Sequence, residues 1–250
     1  MSAAALEARG LVRRFGGLAA TDNVSFSVAP GARQALIGPN GAGKTTLINL
    51  LTGVVKPTEG SVWLQGQDVT AMASSRRVRL GLARTFQINQ LFPDLSPAES
   101  LGLAISEREG RGADFWRPAG RPDIVAEIED LLTRFGLTEV YDQPTRSLAY
   151  GKQRLLEIAL ALACRPTVLL LDEPAAGVPE EERHDILAAL AALPGDVAIL
   201  LIEHDMDLVF SFATRISVLV AGRLLCEGTP AEIAADDRVR AVYLGEDGHG

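Results

Sequence analysis

A chain of 250 residues with 47% hydrophobic content is long enough for one large α/β domain or two small ones with a well-filled core. Its 24 basic against 32 acidic side chains leave a net charge of −8 with no basic run, which argues against nucleic acid as the main partner. The N-terminus lacks the apolar centre of a signal peptide, no stretch reaches the roughly eighteen apolar residues of a membrane span, and Cys164 and Cys226 form no CxxC pair, so a soluble chain with reduced thiols is expected.

Leu6 to Val12 reads as a first strand, followed by a polar, glycine-bearing turn that contains Phe15. Phe15 alone reads as a core plug; beside a nucleotide loop, a stacking face for adenine becomes its competitor. Val24, Phe26 and Val28 alternate with Ser25 and Ser27, the period of a half-buried strand. Ala35-Leu36-Ile37 then fits a buried strand that breaks into Gly38-Pro39-Asn40-Gly41-Ala42-Gly43-Lys44-Thr45-Thr46, and Leu47, Leu50 and Leu51 recur at helical spacing until Gly53. Strand, glycine loop and helix is the context in which the P-loop pattern predicts a nucleoside triphosphate site. Glycines let successive N–H groups line a concavity for phosphate oxygens at the positive end of a helix. In that pattern Lys44 reaches the terminal phosphates and the Thr45 hydroxyl ligates magnesium.

Ser61 to Leu64 reads as a strand, Gly66-Gln67-Asp68 as a turn, and the basic segment Ser75 to Leu82 as a helix leading into Arg84-Thr85-Phe86-Gln87. Ser96, Pro97 and Glu99 fit the cap, first position and capping box of a helix. Glu107 to Pro122 reads as a surface loop with Trp116 as a local anchor, and Ile124 to Phe135 as a helix stopped by Gly136. After Ser147-Leu148-Ala149-Tyr150-Gly151-Lys152-Gln153-Arg154 an apolar helix runs to Cys164.

Thr167 to Leu171 is a continuous apolar run ending in Asp172-Glu173-Pro174, the pattern of a buried parallel strand with acids at its C-terminal end, where open α/β sheets bind ligands. Pro179 and Glu180, Glu181 and Glu182 open a helix with charges suited to its dipole. Val197 to Ile202 is a second buried strand, ending in Glu203-His204-Asp205, and two short strands follow at Ile216 to Val220 and Leu224 to Glu227.

The order of these motifs resembles an ATP-binding cassette (ABC) transporter ATPase over essentially the whole chain. RFGG at residues 14–17, RTFQ at 84–87, LAYGKQRLLEIA, LDEPAAG, IEHDM and the C-terminal VRAVYLGE are similar to one subfamily. That subfamily is the ATP-binding subunit of branched-chain amino acid uptake systems, with relatives serving urea, amides and aromatic acids. The resemblance implies an α/β P-loop cassette: a mainly parallel core sheet with an antiparallel β subdomain (residues 1–87 and 166–250), interrupted by a helical insertion (residues 88–165). It implies a cytoplasmic protein lying against the inner face of the membrane.

The same resemblance implies the site. Phe15 would stack on adenine. Gly38, Asn40, Gly41, Ala42, Gly43, Lys44, Thr45 and Thr46 would hold the phosphates of ATP. Thr45, Gln87 and a water on Asp172 would surround magnesium. Glu173 would orient or deprotonate the attacking water, and His204 would contact the γ-phosphate. Leu148, Ala149, Tyr150, Gly151 and Lys152 would act in trans, offering an exposed Gly151 amide to the nucleotide of a second cassette. Implied partners are transmembrane permease subunits, a second cassette (a paralogue, or an identical copy joined by ATP) and, indirectly, an extracytoplasmic solute-binding protein. Two departures from the family pattern stand in the signature: alanine at 149 in place of serine, and lysine at 152 in place of glutamine.

Leu91 and Phe92 read either as part of a cleft for a membrane partner's coupling helix or as anchors on the protein's own core. The alternatives for the whole chain are a regulatory nucleotide-binding subunit with little catalysis and a non-transport ABC ATPase. Intact Lys44, Gln87, Glu173 and His204 argue against the first, and the absence of a second cassette or basic surface against the other.

Overall fold

The computed structural model describes residues 3–85, 91–110 and 121–244. The first stretch forms β1 (Leu6–Phe15), β2 (Leu18–Val28), β3 (Arg33–Ile37), α1 (Lys44–Thr52), β4 (Glu59–Leu64), β5 (Gln67–Asp68), α2 (Ser74–Arg79) and β6 (Leu82–Arg84). The helices α3 (Pro97–Arg108), α4 (Pro122–Arg134) and α5 (Tyr150–Ala163) follow. Then come β7 (Val168–Asp172), α6 (Glu180–Ala191), β8 (Ala198–Ile202), α7 (Met206–Phe212), β9 (Arg215–Val220), β10 (Arg223–Gly228), α8 (Pro230–Ala235) and α9 (Asp237–Leu244).

The chain divides into two compact units, one of residues 1–82, 167–173 and 195–250, the other of residues 83–166 and 174–194. In the first unit, alternating apolar residues build an antiparallel sheet in the order β2-β1-β4-β5. The second sheet runs β10-β9-β3-β8-β7-β6; β3 is parallel to both β8 and β9, and β7 to β8, with β10 antiparallel at the edge.

Strand periodicity sorts the core into two faces. On β3, Leu36 packs with the antiparallel sheet and with Leu47, Ile48, Leu50 and Leu51 of α1, whereas Ala35 and Ile37 point the other way, toward α7, α8 and α9. β9 repeats the division, with Leu219 on the first face and Ile216 and Val218 on the second. Because both faces are covered, β7 and β8 are buried at every position, which is why they read as unbroken apolar runs.

In the other unit, α3 opens with the anticipated capping box: Glu99 N–H donates to Ser96 Oγ at 3.2 Å, and Ser96 N–H donates to the Glu99 carboxylate at 2.8 Å. Ile124, Ile128 and Leu131 form the buried face of α4. Arg108 makes a forked pair with Glu127 at 2.6 and 3.0 Å and donates to Ala163 O, tying α3 to α4 and the end of α5. This pairing holds the guanidinium pKa above its ordinary value and the Glu127 carboxyl below its own.

Four expectations change. β1 continues through Phe15, so the aromatic ends a strand instead of sitting in a turn. The anticipated turn at Gly66 to Asp68 includes the two-residue strand β5, because Gln67 and Asp68 pair with Leu64 and Trp63. The basic helix stops at Arg79: Gly81 has φ of 96°, a left-handed conformation that no helix continues through, and Leu82 starts β6. Finally, α7 and α9 appear where periodicity was too brief to signal a helix; α7 starts where the Asp205 side chain accepts from Asp207 and Leu208 N–H.

Candidate functional site

The turn from β3 to α1 needs glycine for two separate reasons. Gly41 and Gly43 hold φ of 77° and 101°, which L side chains rarely adopt. At Gly38 and Gly43 the backbone is crowded as well, since an added Cβ would fall 2.1 Å from Leu219 O and 2.2 Å from Ala20 O. The loop is pinned at its middle, where Gly222 N–H donates to Ala42 O at 2.8 Å. Lys44 opens α1, and its ammonium turns back onto the loop, donating to Gly38 O and, at 3.0 Å, to Pro39 O. A cation at a helix N-terminus opposes the macrodipole, so this end suits an incoming anion. Thr45 is exposed in the same first turn, and Asn40 and Gly41 are exposed on the loop, while Ala42 is buried.

The adjacent parallel strands β7 and β8 end side by side, Asp172 opposite Ile202. Asp172 is buried, and Glu173 N–H crosses to Ile202 O at 2.9 Å. Glu173 itself has φ of 48°, a left-handed conformation unusual for a residue with a side chain, which Asn23, Gln65, Arg165 and Ala221 also adopt in this chain. Two residues beyond β8, His204 Nδ1 stands 3.7 Å from Glu173 Oε1 and 3.7 Å from Glu203 Oε2. The imidazole is 67% exposed, whereas Glu203 is 1% exposed, so Glu203 is the fixed member of the group. Its carboxylate accepts from the His204 and Asp205 N–H groups at 3.0 and 3.4 Å, which sets the direction in which His204 leaves the strand.

Phe15 is 48% exposed at the end of β1, which removes the core-plug alternative. The Arg13 guanidinium lies 4.6 Å from the ring centroid on one side. Phe92, also exposed, is not an anchor on the core, and Leu91 is half-buried. Gln87 and Trp116 lie outside the described residues.

In the second unit, Ala149 caps α5, leaving Tyr150 exposed and Leu148 buried, while Lys152 donates to Gly136 O at 2.9 Å. The exposed Gly151 amide expected here is corrected: Gly151 is buried, and its N–H donates to Glu182 Oε2 at 2.7 Å. An added Cβ at Gly151 would lie 2.1 Å from that oxygen, so only glycine admits the carboxylate. The anion-seeking end of α5 is thus occupied by an acid of α6 from the same chain.

The predicted residues that the structure describes are divided between the two units. In the first are Gly38 to Thr46, Asp172, Glu173, His204 and Phe15; in the second, Leu148 to Lys152. Two contributors were not identified from sequence. Glu182 is indistinguishable along the chain from its neighbours Glu180 and Glu181, and Glu203 reads there only as the polar end of a strand.

Comparison with known proteins places these residues in context. The ABC transporter family profile matches residues 21–176, and a profile for branched-chain amino acid ATP-binding cassette transporters matches residues 223–249. The chain is 40% identical over 254 residues to the high-affinity branched-chain amino acid transport ATP-binding protein BraF of Pseudomonas aeruginosa, covering 98% of this chain and 100% of that protein. It is 39% identical over 255 residues to LivG of Escherichia coli K12, of the same description, with the same coverage. Its fold is similar to the ADP conformation of an ATP-binding cassette of an ABC transporter, with a TM-score of 0.81, 30% identity, and coverage of 98% of this chain and 100% of that one.

Proposed function

This chain belongs to the ABC transporter family, as an ATP-hydrolysing subunit that powers solute import, and we propose that the solute is a branched-chain amino acid. The observation carrying the catalytic assignment is the pair Glu173 and His204, 3.7 Å apart at the ends of neighbouring parallel strands. The solute assignment rests on the relatives and on the C-terminal profile match.

In this proposal the loop amides from Gly38 to Lys44 and the Lys44 ammonium bind the phosphates, and Phe15 stacks on adenine with its free face. Lys44 exchanges its two carbonyl partners for phosphate oxygens, which converts an unfavourable charge at the α1 N-terminus into a matched one. Glu173 orients or deprotonates the attacking water, and His204 contacts the γ-phosphate as charge develops there. Among the described residues no three His, Cys, Asp or Glu side chains converge as a metal site. Thr45, Gln87 and a water on Asp172 would hold magnesium together with phosphate oxygens, whose charge it would neutralise.

The segment Leu148 to Lys152 completes the site of a second cassette, and the subunit works at the inner face of the cell membrane through permease subunits. No helix among the described residues is long and apolar enough to cross a membrane. To reach a γ-phosphate, the Gly151 amide must first give up Glu182. Glu182→Ala, combined with Glu173→Gln to arrest turnover, is expected to pair at several-fold lower ATP concentration than Glu173→Gln alone, measured by light scattering. Equal or weaker pairing would mean that Glu182 leaves that amide at no cost, or supports the segment it touches.

The function as a whole is tested by uptake of labelled leucine in cells that carry this chain together with permease subunits of a branched-chain amino acid transporter. Replacing the wild-type chain with Lys44→Ala is expected to abolish that uptake. Leucine uptake that persists, while entry of urea, an amide or an aromatic acid is lost, would overturn the solute assignment.

A further inference from the structure

Among the described residues, Arg77 is the largest fully buried side chain that none of the motifs explains, with 1% of its surface exposed. It sits on α2, yet every hydrogen bond of its guanidinium goes to a backbone carbonyl elsewhere. One terminal nitrogen donates to Leu50 O at 2.8 Å and Leu51 O at 2.6 Å, in the last turn of α1. The other donates to Thr70 O at 3.0 Å, and Nε donates to Met72 O at 3.2 Å. Four of the five guanidinium N–H bonds are thereby used. Gly53, which caps α1 at φ of 78°, makes the approach possible, because a Cβ there would lie 2.7 Å from Nε and 2.8 Å from Cζ.

We propose that Arg77 is a positioning residue for nucleotide binding, clamping the C-terminal end of α1 so that its N-terminal end is fixed for the phosphates. Two effects act in the same direction. Mechanically, α1 has nine residues and spans only about 14 Å, so a tilt at one end moves the other by a comparable distance. Electrostatically, α1 has no basic side chain of its own in its last turn, and Arg77 supplies the cation that its dipole favours there. That charge lies behind the helix whose front receives an anion.

The placement is costly in itself. Burial lowers the pKa of the guanidinium from its ordinary value, with Asp68 pulling it the other way, and no carboxylate forms an ion pair with it among the described contacts. The turn after α1 also supplies ordinary caps: Gly53 N–H donates to Leu50 O and Val55 N–H to Asn49 O. A buried cation added to such an end brings what neutral caps do not, a fixed charge and a tie to the segment between β5 and α2.

The test compares Arg77→Met, which keeps the length and removes charge and donors, with Arg77→Lys, which keeps the charge. Calorimetric ATP and adenosine affinities are measured where circular dichroism shows each variant fully folded. The expected result is about tenfold weaker ATP binding for Arg77→Met, unchanged adenosine binding, and recovery to within about threefold for Arg77→Lys. Folded Arg77→Met with wild-type ATP affinity would overturn the proposal and leave Arg77 a structural residue only. Should Arg77→Met fail to fold, hydrogen exchange of the wild-type chain decides: ATP is expected to slow exchange in α2 as well as in α1, and unchanged α2 amides would overturn the link.

Discussion

Glu173→Gln is expected to cut ATP turnover by at least about 100-fold while leaving ATP affinity within a few-fold of wild type, the range associated with loss of a positioned general base. The substitution is nearly isosteric, and the structure gives the glutamine little reason to move. Glu173 is held by its own N–H on Ile202 O, at a φ of 48° set by the backbone and not by the charge of the side chain. What changes is the oxygen facing His204, from a base to a neutral amide. Equal steady-state rates for the two proteins would remove Glu173 from the catalytic assignment.

The same variant reports on assembly, because in the proposed cycle arrested turnover would leave ATP in place between two cassettes. Light scattering with and without ATP and magnesium is expected to show ATP-dependent dimers if this chain completes its own sites. A monomer that still binds ATP would assign the signature segment Leu148 to Lys152 to a different partner cassette.

Lys44→Ala is expected to weaken ATP binding by about 100-fold or more, a loss of roughly 3 kcal/mol at 1.4 kcal/mol per factor of ten. This is the magnitude of a charge-assisted contact in a partly enclosed site rather than of a surface ion pair. Phe15→Ala, measured in the same titration, is expected to lose only about tenfold, the scale of one base stacked on one aromatic ring. Stability separates the roles further. Without nucleotide the Lys44 charge opposes the α1 dipole, and the carbonyls of Gly38 and Pro39 are among the groups that hold it. The Tm of Lys44→Ala is therefore expected to stay within about 2 °C of wild type, a shift worth under 1 kcal/mol in a chain of this size. A large fall in Tm with unchanged ATP affinity would reassign Lys44 from ligand binding to loop structure.

How legible the protein was along the chain depended on the range of the interaction involved. Local chemistry was legible. The glycine loop, the capping box at Ser96 and Glu99, and the buried runs ending at Asp172 and Ile202 each declare themselves within ten residues, because backbone conformation and periodicity are short-range properties. Short helices such as α7 were not legible, since one or two turns carry too little periodicity to stand apart from a loop.

The site divides along the same line. Which residues the proposal assigns to phosphate, Lys44, Glu173 and His204 among them, was legible in the sequence itself, through the order of its motifs and the family resemblance they carry. Tertiary structure alone decided which acid stands where. Three consecutive glutamates open α6, and only packing against α5 singles out Glu182 as the one on the Gly151 amide. Segment 74–79 holds Arg76, Arg77 and Arg79 in an apparently ordinary basic turn, and only the approach of α1 buries Arg77 against its last carbonyls. Identical charges become different residues when desolvation and a specific partner reach just one of them, and both arise from chain segments distant in sequence.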